Sequence, residues 1–138
     1  MYDDFVMEHI KNARNYRVLE DADRRAEGSN PMCGDHMLVY LKLDGDRLSD
    51  LGFQCTCCGI SMASASMMTE AMKGARVEDA IHSARELVAM LQSATEPAES
   101  EPMERLAMME TVKRFPARTR CAVLPWATLA DALESLQS

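Results

Sequence analysis

Residues 36–55 read HMLVYLKLDGDRLSDLGFQC, two runs of alternating apolar and polar residues separated by Asp44, Gly45 and Asp46. An Asp-Gly pair between two such runs is the strongest short-range signal for a β-hairpin. The alternation indicates that each arm buries one face and exposes the other. This stretch therefore predicts two antiparallel strands, against which the rest of the chain packs.

The segments next to the hairpin are mostly helical in pattern. Tyr2–Asn12 carries apolar residues on one face and predicts an amphipathic helix, whereas residues 17–31 read as turn with one short edge strand. After the hairpin, Ile60–Lys73 contains neither proline nor aromatic residues, and Gly74 stands where a C-terminal cap belongs. This run predicts a helix in which small residues allow another element to approach closely.

The remainder of the chain also predicts helices. Apolar residues recur at helical spacing over Val77–Gln92, and an acidic, proline-containing loop follows over residues 93–102. A short helix near Glu104–Thr111 and a last helix from about Pro125 to Leu136 complete the chain. Helices joined by one antiparallel hairpin predict the α+β class, and the length predicts a single domain over residues 1–138.

The composition narrows the class of function. The 22 acidic residues outnumber the 15 basic ones, which gives a formal net charge of -7. Because a phosphate backbone requires a basic face, this balance argues against nucleic-acid binding. The chain shows no signal-peptide pattern and no apolar run that could cross a bilayer, so we expect a cytoplasmic protein without a membrane partner.

Three cysteines crowd into four positions before the predicted helix, at Cys55, Cys57 and Cys58. They could be a dithiol redox pair, inert core residues or metal ligands. The redox interpretation lacks the usual context, since such motifs follow a buried strand in a βαβ unit. Cys58 stands out, because a helix N-terminus stabilises a thiolate through its unpaired N–H groups and its dipole.

Two further segments carry groups of the same chemistry. Cys33 and Asp35 lie two residues apart in a turn before the first hairpin strand, and Cys121 follows Arg118 and Arg120. Three thiolates and one carboxylate would form a closed tetrahedral shell for Zn²⁺, and the same set could hold an iron–sulfur cluster. The spacing follows no zinc-finger pattern, so the residues alone leave these alternatives open. The two arginines could offset the charge of such a site or simply be solvated.

Three motifs resemble one known family in order and spacing: NPMCGD at residues 30–35, CGISMASASMM at residues 58–68 and FPARTRCAVLPW at residues 115–126. They are similar to the U-type iron–sulfur scaffold family, NifU/IscU-like, and the similarity runs from about Tyr2 to Leu133. The resemblance implies a three-stranded antiparallel sheet packed against about five helices, with a metal site at one end. The implied metal ligands are Cys33, Asp35, Cys58 and Cys121.

Three departures indicate which branch of that family the chain resembles. Arg120 replaces the histidine that precedes the last ligand in IscU proteins, the LPPVK chaperone motif is absent, and Ser93–Lys113 looks like an insertion. These features resemble the SufU branch, which would make the chain a zinc-bound sulfurtransferase acting together with a SufS-type cysteine desulfurase. Downstream iron–sulfur assembly proteins would then receive the sulfur. The alternatives are a scaffold that assembles and transfers a [2Fe–2S] cluster on the same ligands, and a structural zinc module.

The resemblance also distinguishes the cysteines from one another. Cys33 is the expected catalytic sulfur acceptor, since a Gly-containing turn leaves it freer to move than Cys58 on its helix. Cys55 and Cys57 stand where the family usually carries glycine. They could pack as small apolar residues, act as a resolving thiol, or serve as alternate ligands.

Overall fold

The computed structural model describes residues 2–31, 34–93, 98 and 100–136. Cys33, the predicted sulfur acceptor, lies outside the described residues. In chain order the elements are α1 (Tyr2–Lys11), β1 (Arg24–Asn30), β2 (Asp35–Asp44), β3 (Arg47–Thr56), α2 (Gly59–Met72), α3 (Val77–Ser93), α4 (Met103–Arg114), a 3₁₀ turn (Pro116–Arg118) and α5 (Thr119–Leu136).

The three strands form one antiparallel sheet in the order β1–β2–β3. Gly45 turns the β2–β3 hairpin with a φ of 62°, a conformation that glycine adopts without strain. The inner face of the hairpin is fully buried and carries Met37, Val39, Leu41, Leu51 and Phe53. The predicted α+β class, the three-stranded sheet and the five helices packed against it are therefore confirmed.

Strand β1 is longer than the short edge strand expected from residues 17–31. Its seven residues pair with β2 from Arg24 opposite Leu41 to Asn30 opposite Asp35. Most of its side chains are polar and at least partly exposed, so it lacks the apolar alternation that signals a strand. Pairing with β2 decides its conformation.

Helix α2 runs through the interior, and its residues from Ala63 to Thr69 are all buried. A helix that is apolar or small on every side is typical of a fully enclosed position. Its serines reach the neighbouring elements: Ser64 donates to the Ala122 carbonyl at 2.6 Å, and the Ser66 hydroxyl lies 2.7 Å from His9 Nδ1. The small residues thus hold both α5 and α1 close to α2.

The start of α5 corrects the sequence prediction. The helix begins at Thr119 rather than near Pro125, so Cys121 lies in its first turn and Pro125 lies inside it. Proline has no N–H to donate to the carbonyl four residues earlier, here that of Cys121. The Ser61 hydroxyl of α2 lies 3.0 Å from that carbonyl oxygen. The hydroxyl of Ser61 thus donates to the carbonyl that Pro125 cannot reach with an N–H. Because Ser61 lies on another helix, the local sequence around Pro125 does not reveal this hydrogen bond.

The part of the insertion-like segment that the structure describes packs against the rest of the fold. Helix α4 extends over Met103–Arg114, three residues beyond the predicted end at Thr111. Its Arg105 is only 8% exposed and donates to Glu86 Oε1 at 2.5 Å and to Ser83 Oγ at 2.8 Å, both on α3. Across the described residues, no helix combines the length and apolar character that a bilayer span requires.

Candidate metal site

Three of the four predicted ligands come together at one end of the molecule. Asp35 is the first residue of β2, Cys58 is the N-cap of α2, and Cys121 lies in the first turn of α5. One carboxylate oxygen and the two sulfur atoms all lie within 4.8 Å of one another. Residues separated by up to 86 positions in the sequence therefore share one site.

The site is largely removed from solvent. Asp35 is 4% exposed, Cys121 is 0% exposed, and Cys58 is partly exposed. A buried carboxylate must be hydrogen-bonded or paired, because an isolated buried charge is strongly disfavoured. The main-chain N–H of Cys58 donates to Asp35 Oδ1 at 3.2 Å, which joins the N-terminus of α2 directly to β2.

Ser61 connects the three groups, and sequence reasoning did not single it out. Its hydroxyl oxygen lies 2.9 Å from Asp35 Oδ2, 3.0 Å from the Cys121 carbonyl oxygen and 3.7 Å from Cys58 Sγ. The only sequence signal is its position three residues after Cys58, in the first turn of a helix. Hydrogen bonds of this kind orient the groups that contact a metal and tune its affinity.

The surroundings of Cys58 favour its thiolate. Burial raises the pKa of the thiol, but hydrogen bonds from the Ser61 N–H, the Ser61 hydroxyl and the Cys121 thiol lower it. The charge of Asp35 acts in the same direction as burial, yet the hydrogen bonds outweigh both. The pKa of Cys58 therefore lies below its ordinary value of 9.0, as the helix N-terminus predicted.

The donor set fits a thiophilic metal. Tetrahedral ligands at about 2.0–2.3 Å from Zn²⁺ lie roughly 3.3–3.8 Å from one another. Separations of up to 4.8 Å between Asp35, Cys58 and Cys121 therefore need only a small contraction to reach that geometry. Thiolate sulfur also suits iron–sulfur clusters, so the described donors fit either group.

The two arginines singled out from the sequence lie within three residues of Cys121. Arg118 and Arg120 are both exposed, and Arg120 lines an open cavity of about 720 Å³ together with Asn30 and Pro31. This cavity thus lies between the segment that leads to Cys33 and the start of α5. His36 is exposed and pairs with Ser29 and Thr56 in the sheet, outside the Asp35–Cys58–Cys121 group.

Cys55 and Cys57 do not join the metal-ligand group but are bonded to each other. Their sulfur atoms form a disulfide with a Cα–Cα distance of 5.4 Å, whereas Cys58 and Cys121 are not disulfide-bonded. Both bonded cysteines are partly buried and pack against the core. Of the three cysteines crowded before α2, the bond therefore joins Cys55 to Cys57 and leaves out Cys58.

The family resemblance is confirmed by comparison with known proteins. The profile of the NifU-like N terminal domain matches residues 1–122. The zinc-dependent sulfurtransferase SufU of Bacillus subtilis is 40% identical over 129 residues, which are 94% of this chain and 86% of the relative. The iron–sulfur cluster assembly scaffold protein IscU of Thermotoga maritima is 33% identical over 136 residues, covering 99% of this chain and 94% of the relative.

A solved structure shares the architecture. A crystal structure of a protein from Fervidobacterium islandicum, described as an iron–sulfur cluster assembly scaffold for the SUF system, superposes with a TM-score of 0.84. The two chains are 32% identical, and the match covers 94% of this chain and 93% of the other.

Proposed function

This chain belongs to the NifU-like N-terminal domain family of iron–sulfur cluster assembly proteins, and we propose that it acts there as a zinc-dependent sulfur-transfer protein. Its partner is a SufS-type cysteine desulfurase, from which it accepts persulfide sulfur for downstream iron–sulfur assembly proteins. The proposed location is the cytoplasm, where thiols remain reduced. The observation that carries the proposal is the convergence of Asp35, Cys58 and Cys121 within 4.8 Å.

The chemistry of these three residues and the similarity to one relative support zinc-linked sulfur transfer. Two thiol sulfurs outside any disulfide and one carboxylate would supply three of the four ligands of a closed zinc site, and Cys33 is the proposed fourth. Bound zinc would keep its thiol ligands deprotonated, since only the thiolate coordinates the metal. The 40% identity to a zinc-dependent sulfurtransferase supports the same choice.

Cys33 is the proposed acceptor because of the chain around it. Gly34 has a φ of 71°, so the backbone turns sharply between Cys33 and the buried Asp35. In the transfer step, the Cys33 thiolate attacks the outer sulfur of the desulfurase persulfide. A new S–S bond forms on Cys33, the S–S bond of the partner breaks, and the partner's cysteine leaves as a thiolate. Cys121 on α5 is 0% exposed, so an incoming persulfide cannot reach it directly in this structure.

Cys33→Ser tests this assignment. We expect the variant to lose sulfur acceptance from a desulfurase while still binding some zinc through Asp35, Cys58 and Cys121. Sulfur on the protein is measured by mass spectrometry after reaction with the desulfurase and cysteine, and zinc by elemental analysis. A urea midpoint close to that of the wild type serves as the control for folding. Full sulfur acceptance by Cys33→Ser would refute the assignment.

A cluster scaffold is the second candidate function, favoured by the 33% identity to an IscU scaffold protein over nearly the whole chain. Carboxylate oxygen is a harder and poorer match for iron–sulfide than thiolate. In this alternative Asp35→Ala is expected to slow the release of a [2Fe–2S] cluster to an acceptor protein, and faster release contradicts it.

The metal content of protein purified in air separates the two candidate functions. A colourless sample with about one zinc per chain supports sulfur transfer, in line with a single four-ligand site. A brown sample that contains iron and acid-labile sulfide supports the scaffold. The visible absorption spectrum and elemental analysis of the same sample provide both readouts.

A further inference from the structure

We propose that Cys55 and Cys57 form a second reactive centre, a thiol–disulfide exchange site whose reaction partners are disulfides in one direction and thiols in the other. The two residues flank the end of β3, and their sulfurs are bonded across a single residue, Thr56. The Cα–Cα distance of 5.4 Å falls within the usual range for a disulfide. The pair lies beside the metal site but shares no sulfur with it.

The bond contributes little to holding the fold together. A disulfide stabilises mainly by restricting the unfolded chain, and its effect shrinks with the length of the loop that it closes. Here the loop contains one residue between the two cysteines. Cys55 is already held by its pairing with Met37 of β2, and its N–H and C=O both hydrogen-bond to the Tyr16 hydroxyl, at 3.4 and 3.1 Å. The strand end therefore remains anchored when the disulfide opens.

Reagents can reach the pair from solvent. Both cysteines are partly exposed, and Thr56 between them is exposed. Cys55 also lines an open depression of about 250 Å³, whose other lining residues are Tyr16, His36, Leu38, Gln54 and Thr56. This opening favours Cys55 as the sulfur that an incoming reagent meets first. In a reducing compartment, a disulfide so placed is typical of transient, redox-responsive bonds.

The atoms and electrons of this thiol–disulfide exchange balance without any contribution from a metal. The Cys55 thiolate attacks one sulfur of a disulfide R–S–S–R, and the other sulfur leaves as R–S⁻ and takes up a proton. The Cys57 thiolate then attacks the Cys55 sulfur of the mixed disulfide, and the second R–S⁻ leaves and is protonated. Two protein thiols are oxidised to one disulfide by two electrons, and one R–S–S–R is reduced to two R–SH. Excess R–SH drives the same steps backwards.

The position of the pair links this exchange to the metal site. Cys57 is joined by its peptide bond to Cys58, whose N–H donates to Asp35 and whose sulfur belongs to the metal-ligand group. A change in oxidation state therefore takes place one residue from a proposed ligand. The sulfur-acceptance experiment on Cys33 does not involve this pair, so the two proposals fail independently.

The test is a redox titration of the full-length, zinc-loaded protein in buffers of reduced and oxidised glutathione. After acid quenching and alkylation, peptide mass spectrometry reports the state of each cysteine. We expect Cys55 and Cys57 to become protected from alkylation together in one two-electron transition. A bond from either residue to Cys58, or full alkylation of both in oxidised glutathione, overturns the proposal.

Two single variants test the order of attack. With its resolving thiol removed, Cys57→Ser is expected to accumulate a glutathione adduct on Cys55, several-fold more than Cys55→Ser accumulates on Cys57. Equal adducts on both variants, or none on either, overturn the assigned roles. Urea midpoints near that of the wild type establish that both variants fold.

A second arm of the test distinguishes the sources of the disulfide. An oxidised dithiol protein of the thioredoxin type replaces oxidised glutathione at equal concentration. Faster oxidation of the pair by this protein identifies a protein disulfide as the partner, whereas faster oxidation by glutathione identifies a small disulfide. Oxidation by neither reagent overturns the proposal.

Discussion

The hydroxyl oxygen of Ser61 lies 2.9 Å from Oδ2 of Asp35, and both side chains are buried. The same oxygen lies 3.0 Å from the carbonyl of Cys121, which cannot receive an N–H from Pro125. One hydroxyl thus joins β2 to α5 at the metal site. A hydroxyl carries a single proton, so the hydrogen bonding of Ser61 is divided among its acceptors, which include these two.

We expect Ser61→Ala to lower zinc affinity by about 10–100-fold, the usual cost of losing a hydrogen-bonding partner of a metal ligand. It should also destabilise the fold by about 1–3 kcal/mol, since it removes a donor to buried acceptors. Zinc affinity is measured by competition with a chromogenic chelator, and stability by urea denaturation.

Ser66→Ala is the matched control for Ser61→Ala. Ser66 is equally buried on the same helix, but its hydroxyl contacts His9 and the N–H of Arg14 rather than the metal site. We expect this variant to lose stability and retain zinc affinity. If both variants weaken zinc binding equally, the effect of Ser61 is a general loss of packing and not an orienting hydrogen bond.

The contact between β1 and α5 leads to a second prediction. A Cβ atom added at Gly28 would lie 2.0 Å from Thr128 Oγ1 and 3.1 Å from Leu124 Cδ1. We expect Gly28→Ala to destabilise the protein by about 1–3 kcal/mol, the usual cost of overpacking a core. Urea midpoints of the single and double variants measure the effect.

Thr128→Ala supplies the matched background for that test. It removes the oxygen at 2.0 Å, and the remaining neighbours lie at 3.1 and 3.2 Å. The penalty of Gly28→Ala should therefore be clearly smaller in the Thr128→Ala background, which gives a favourable coupling energy between the two sites. Strict additivity of the two substitutions would show that the clash is relieved in another way.

His9 provides a prediction about pH. Burial lowers the pKa of His9 below its ordinary value of 6.5, the positive charge of Arg14 lowers it further, and Glu70 and Glu8 oppose these effects. The unfolded chain therefore binds a proton at His9 more readily than the folded chain. Stability from this group is fully present above pH 6.5 and is lost as the pH falls below that value.

His9→Gln is the variant that isolates this group. Urea midpoints of zinc-loaded wild type and variant are compared between pH 5 and pH 8. Proton competition for zinc affects both proteins alike, so the difference between them reports His9. The wild type should lose more stability than the variant below pH 6.5, and parallel curves would contradict the prediction. Glutamine can still hydrogen-bond to Ser66, so wild type and variant differ mainly in the titratable group.

Local patterns in the sequence were sufficient for most of the fold. The Asp44-Gly45 turn, the alternation in both hairpin arms and the helical spacing over Val77–Gln92 depend on neighbours in the chain, and the structure confirms them. The prediction was weakest for the extent of β1 and the start of α5, which have no such local pattern. Strand β1 is polar, and the start of α5 contains Pro125, so pairing and packing decided both.

For the site, the sequence by itself determined the chemistry: a family, a set of cysteines and one aspartate, and a helix N-terminus at Cys58. Only the tertiary structure decided which groups meet. Asp35, Cys58 and Cys121 come together because β2, α2 and α5 begin at the same place, and Ser61 joins them across buried contacts. The structure also decided the cysteine pairing, with Cys55 bonded to Cys57 and the sulfur of Cys58 in the metal-ligand group. Residue type is encoded locally, whereas proximity between distant residues follows from how the elements pack.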